Sequence, residues 1–156
     1  MVDDRSLLRR AVELAGDGIE NGGGPFGAII TKEGKIIAES FNRVVLLNDP
    51  TAHAEILAIR QASKILKSHD LAKCTLYTSC EPCPMCLGAI YWAGIKKVVF
   101  SSDRDDAAKA GFNDSFIYNE ILLLPSERKV TFIHLTDDGS KEVFRKWERF
   151  ENKIPY

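Results

Sequence analysis

Basic blocks are missing from this 156-residue chain, whose 21 lysines and arginines are scattered and offset by 22 acidic residues, for a net charge of −1. A polyanion-binding surface ordinarily needs a basic stripe, so a nucleic-acid partner is not expected. Long hydrophobic runs are missing too. The apolar stretch at 117–125 is interrupted and far short of the ~20 residues that cross a bilayer, which argues against a membrane partner. Met1-Val2-Asp3-Asp4 places acid where a secretory signal carries base, so a cytoplasmic protein is the expectation. Repeats, low-complexity tracts and linkers are absent. With four cysteines, a core large enough to need no disulfides and ordinary fractions of hydrophobic (45%) and charged (28%) residues, residues 1–156 read as one soluble globular domain.

Hydrophobic periodicity and turn chemistry organise what is present. Leu8, Val12, Ala15 and Ile19 step by four, three and four, which predicts an amphipathic helix over 3–20, ended by Asn21-Gly22-Gly23-Gly24-Pro25. Strands are predicted at 26–31 and 35–41, joined at Lys32-Glu33-Gly34 by a hairpin turn with Gly34 at positive φ. A loop over 42–50 leads to a helix over 52–66, and a strand at 75–78 to a helix over 84–93 with Pro84 in its first turn. A strand over 97–101, a helix over 103–110, a short helix and loop over 114–124, a fifth strand over 130–136 and a helix over 141–150 follow. This order predicts an α/β fold, a three-layer α/β/α sandwich around a five-stranded mixed sheet.

The chemistry concentrates in Thr51-Ala52-His53-Ala54-Glu55 and Cys80-Glu81-Pro82-Cys83-Pro84-Met85-Cys86. Cys83 and Cys86 are spaced i, i+3, so both sulfurs share one face of a helical turn and can reach one ion. His53 is a third ligand from an earlier segment. A Cys₂His set leaves one tetrahedral position open, as in catalytic rather than structural zinc sites. Glu55 lies about 200° around a helix from His53, so both meet one site only if it sits over the helix N-terminus. Both ligand segments stand at predicted helix N-termini, where the dipole favours thiolate. One Zn²⁺ per chain is the expected cofactor. Cys74 and Cys80 read as small buried thiols, and Glu81, just before Pro82, as a carboxylate that bonds local backbone.

His-x-Glu followed by Pro-Cys-x-x-Cys is also the signature of zinc-dependent nucleobase deaminases. The chain resembles the cytidine/deoxycytidylate deaminase superfamily, and within it the bacterial guanine deaminases. Besides the two metal segments, the resemblance rests on Gly23-Gly24-Pro25-Phe26-Gly27-Ala28, on Asn48-Asp49-Pro50 before the histidine motif, and on Gly111-Phe112-Asn113-Asp114-Ser115-Phe116-Ile117-Tyr118. It implies hydrolysis of the free base guanine to xanthine and ammonia, with Glu55 moving protons and Asp114 as a second proton shuttle. Phe26, Asn42, Ala54, Trp92 and Tyr156 would bind the base. It further implies a homodimer in which the C-terminal segment closes over the partner's site. Val44-Val45-Leu46-Leu47 is unusually apolar for a loop and is expected to pack at the dimer interface or narrow the pocket. The rival readings are a tRNA adenosine deaminase, a deaminase of another small ring such as cytosine or a triazine, and a zinc-stabilised partner subunit without activity. The last has no need of a carboxylate beside the metal.

Overall fold

The structure is a computed structural model and describes residues 3–156. The chain forms two compact units, one ending at Ser115 and one running from Phe116 to Tyr156. In the first unit, helix α1 (Asp4–Glu20) precedes the hairpin of strands β1 (Gly27–Lys32) and β2 (Lys35–Phe41). A short helix α2 (Val44–Leu47), helix α3 (Ala54–Leu66), strand β3 (Cys74–Cys80), helix α4 (Pro84–Trp92), strand β4 (Lys97–Ser102) and helix α5 (Arg104–Lys109) follow. The sheet order is β2-β1-β3-β4, with β1 antiparallel to both neighbours and β3 parallel to β4. The predicted mixed sheet and its layers are therefore present. The hairpin turn uses positive φ at both Glu33 (53°) and Gly34 (75°), the backbone twist that suits a two-residue connection.

Strand alternation sorts the side chains to two faces. Ala28, Ile30, Cys74 and Leu76 pack with Ala54, Ala58 and Ala62 of α3 and Ile90 of α4. Ile29 and Tyr77, one residue out of phase, pack on the other face with Leu7, Ala11 and Leu14 of α1. The buried residues of α1 are Leu7, Ala11, Leu14, Ala15 and Gly18; of the expected stripe Ala15 is buried and Leu8 packs partly buried against the core, while Val12 and Ile19 are exposed. Close approach explains the offset. An added Cβ at Gly27 would lie 2.2 Å from the Ala11 carbonyl oxygen, and one at Gly18 would lie 2.9 Å from the Gly24 carbonyl. Only the small residues of α1 let the helix backbone reach the sheet this closely. Asp4 clamps its first turn, accepting from the Tyr77 hydroxyl at 2.6 Å and pairing with Lys97 at 2.7 Å. The Lys97 ammonium and the Tyr77 hydroxyl hold the Asp4 carboxyl below its ordinary range.

The second unit contains helix α6 (Ser115–Leu122), a 3₁₀ turn at Pro125–Glu127 and helix α7 (Asp138–Arg149). The fifth strand expected over 130–136 is not formed, and the sheet has four strands. A strand is defined by its ladder, and this segment, however rich in β-formers, pairs with no strand among the described residues. The expected loop at 42–50 also differs: Val44–Leu47 closes one helical turn, ended by Asn48 in the left-handed region, with Val45, Leu46 and Leu47 exposed.

Gly27→Ala tests the close approach of α1. Overpacking there is expected to cost ~1–3 kcal/mol, seen as a lower urea midpoint at unchanged slope. An unchanged midpoint would mean that α1 does not seat on β1 in this way.

Candidate active site

Two helix N-termini meet beyond the carboxyl end of β3. His53 is the N-cap of α3 and Cys83 the N-cap of α4, and neither side chain caps its own helix. These positions ordinarily go to Ser, Thr, Asp or Asn, whose oxygens satisfy the first-turn amides. Here the side chains turn instead toward each other, under the positive ends of two helix dipoles. Pro84 occupies the first turn of α4, where its missing N–H costs nothing, and Cys86 follows one turn along, fully buried.

His53 Nδ1 lies 3.5 Å from Cys83 Sγ and 3.6 Å from Cys86 Sγ, and the three donor atoms fall within 4.8 Å of one another. A tetrahedral zinc with Zn–N near 2.0 Å and Zn–S near 2.3 Å separates such donors by about 3.5 Å. The donor set and its spacing therefore fit zinc. The cluster's protonation fits as well. Hydrogen bonding from Cys86, and then from His53, pulls the Cys83 thiol down to about 4. Cys86 itself is pushed far up by sharing its proton with Cys83 and by burial. A dication bound here would hold both sulfurs as thiolates.

Glu55, in the first turn of α3, is buried beside the ligands. Its Oε1 accepts from the Thr78 hydroxyl at 3.0 Å, and its Oε2 stands 3.5 Å from Cys86 Sγ. Burial raises its carboxyl above the ordinary glutamate range. The rotation that separates Glu55 from His53 along α3 is thus reconciled, as the sequence required, by a site over the helix end. Ala54, between them, is wholly buried.

Phe26 is half-buried and meets Phe112 edge-on, with ring centroids 4.9 Å apart and planes at 86°. Asn42 is buried, and its Oδ1 accepts from Val44 N at 3.2 Å, so part of this amide serves a turn. Gly23 and Gly24 make room for this residue: an added Cβ would lie 2.3 Å from the Asn42 carbonyl and 3.0 Å from its side chain, respectively. Asp114 directly precedes α6, beside Asn113, whose Oδ1 accepts from the Ser115 amide at 3.0 Å. Its carboxyl is raised by burial first and then by the neighbouring Cys83 charge, which brings it within electrostatic reach of the ligands. Glu81 accepts from the Arg104 amide at the start of α5, the local backbone role its position implied. Cys80 is a buried thiol pushed up to about 11 by burial, and Cys74 is raised by the same cause. Trp92 ends α4, away from the turn that carries Cys86, with its ring largely exposed, and exposed Tyr156 ends the second unit. Sequence reasoning missed Thr78. Its place in β3, in phase with Leu76 and Cys74 on the buried face, was the available signal.

The Cys86 sulfur is the deepest of the three donors, so Cys86→Ala is expected to be isolated with little zinc where the parent carries about one per chain, measured by metal analysis. A variant that keeps a full complement would remove Cys86 from the ligand set.

Residues 1–102 match the cytidine and deoxycytidylate deaminase zinc-binding region. A guanine deaminase of Bacillus subtilis (strain 168) is 53% identical over 99% of this chain and 100% of its own length. The X-ray structure of guanine deaminase from Bacillus subtilis superposes with a TM-score of 0.97 at 52% identity, covering 99% of both chains. A tRNA-specific adenosine deaminase of Haemophilus influenzae is 37% identical over 97% of this chain and 88% of its own. On a zinc-binding segment and a fold shared with these relatives, the chain belongs to the cytidine and deoxycytidylate deaminase family of zinc-binding proteins.

Proposed function

We propose that this protein is a zinc-dependent aminohydrolase that converts guanine and water to xanthine and ammonia. The observation that carries the reading is a buried carboxylate, Glu55, set against a Cys₂His cluster of zinc dimensions. The full-length similarity to a guanine deaminase supports the choice of base. Zinc, when bound by His53, Cys83 and Cys86, supplies Lewis acidity and makes water a nucleophile near neutral pH. The chain's own residues do the rest. Glu55 takes a proton from the attacking water and delivers it to the ring nitrogen beside the amine-bearing carbon; it then takes the remaining proton from the oxygen added to that carbon and passes it to the amino group, which leaves as ammonia as the carbonyl forms. A carboxyl raised by burial suits a group that must both take up and release a proton.

Recognition of the base follows from complementary groups. The Nδ2 donor of Asn42 suits the 6-carbonyl of guanine, a position where adenine carries an amine. Asp114 accepts from the exocyclic amine and serves as a second proton shuttle. Phe26, braced edge-on by Phe112, offers a ring to a planar base, and Ala54 a small surface beneath it. Trp92 and Tyr156 close the site in this reading, Tyr156 from a second copy of the chain. A homodimer is supported by two features. Strand β4 is a sheet edge, and in the second unit Val130, Phe132, Ile133, Leu135, Val143, Phe144 and Trp147 are all exposed. Edges and apolar surface of this extent call for a partner. The apolar α2 turn belongs to the same interface or to the pocket rim. No helix among the described residues is long and apolar enough to cross a membrane. Free Cys74 and Cys80 suit a reducing cytoplasm.

Glu55→Gln is expected to keep zinc and bind guanine while losing at least ~10²–10⁴-fold in kcat. Near-normal turnover by that variant would end this mechanism. Ammonia release over a panel of bases, nucleosides and tRNA is expected to favour guanine over adenine by ~10⁴-fold, because adenine leaves Asn42 and Asp114 mispaired in a dry site. Asp114→Ala should lose most of the activity. Deamination of adenosine in tRNA with guanine untouched would move the chain to the other branch of its relatives.

Complementation tests the exchanged tail. A chain lacking residues 153–156 should be weakly active, and so should Glu55→Gln. Co-expressed as mixed dimers, they should regain activity, because each supplies what the other lacks. No recovery in verified mixed dimers would place Tyr156 in its own chain's site or outside any site.

A further inference from the structure

The two oxygens of Glu55 have different surroundings. Oε1 accepts from Thr78 Oγ1 at 3.0 Å, and Oε2 faces Cys86 Sγ at 3.5 Å, on the side of the ligand cluster. Thr78 is fully buried in β3, the strand paired on both sides by β1 and β4. Its backbone is therefore held by two ladders, and as a β-branched residue it has a stiff χ1. Both constraints limit where its hydroxyl can lie. Cys86 contacts the other oxygen as a thiol, and once that sulfur is a metal ligand it carries no proton to donate. Thr78 then remains as the side-chain donor that orients the carboxylate.

We propose that Thr78 is a positioning residue for the reaction, its hydroxyl fixing Oε1 of Glu55 so that Oε2 alone handles the proton. This rests on the assignment of Glu55 as the proton carrier. Glutamate has three side-chain torsions, and one near the chain's catalytic cluster must present a single oxygen at a fixed distance to be effective. The first turn of α3 sets where the side chain starts, and Thr78 sets where it ends. Valine has the shape of threonine without the hydroxyl, so Thr78→Val removes the donor and leaves the packing in place.

The expected result is a ~10–100-fold loss of kcat, the size of one hydrogen bond to a charged group. KM for guanine, affinity for the product xanthine and zinc content should stay close to those of the parent. Thr78→Ser, which restores the donor, should recover most of kcat. In a Glu55→Gln background the Thr78→Val change should cost little more, because there is no carboxylate left to orient. Should Thr78→Val not fold, Thr78→Ala is read by the same measurements. Parental kcat in Thr78→Val, equal losses in the valine and serine variants, or loss of zinc with the hydroxyl would each overturn the proposal. Failure of the underlying assignment is distinct: it shows as an active Glu55→Gln.

Discussion

The site depends on two helices that begin without capping themselves. His53 and Cys83 occupy N-cap positions at the starts of α3 and α4 and bond neither helix's first-turn amides. In an isolated domain that arrangement is a cost, since each N-cap oxygen ordinarily contributes ~1 kcal/mol. It persists because both helices are held elsewhere, α3 by its alanine stripe against β1 and β2, and α4 by Ile90 in the same core. The helix starts are thus free to serve chemistry. Two dipole ends and three metal-ligating donors converge there. Glu55 enters the same space because it stands in the first turn of α3, where the helix end lets residues on different faces meet.

Much of this was legible in the residues, and the parts that were not share a cause. Local spacing located the metal ligands, because a turn of helix fixes how Cys83 and Cys86 stand to each other. The element order predicted the sandwich. What failed depended on partners distant in sequence. The buried stripe of α1 shares Ala15 with the expected one and is otherwise turned by about one position, because small residues at the closest approach let the helix seat beside Leu7 and Leu14. Gly18 and Ala11 face the strands while the larger Val12 and Ile19 look outward. The segment 130–136 has the composition of a strand and lacks a ladder. Thr78 escaped notice because a threonine in a strand is ordinary until the carboxylate opposite it is known.

The two units differ in how they meet the hydrophobic requirement. The first buries a core on both faces of its sheet. In the second none of the described residues is buried, although α7 carries Val143, Phe144 and Trp147 along with its charges. A helix of that composition is stable where its apolar side is covered.

The clamp at Asp4 bears on how the chain is made. Its partners Tyr77 and Lys97 follow it by 73 and 93 positions. During synthesis, α1 and the β1–β2 hairpin emerge first, with one edge of β1 open and the small-residue face of α1 uncovered. The hairpin can close alone, but β3 must add to the far side of β1 before the helix has a seat, and Lys97 must emerge before the clamp is complete. About three fifths of the chain is therefore exposed to the nascent environment before its first helix is secured, a vulnerability that follows from contacts of long sequence separation.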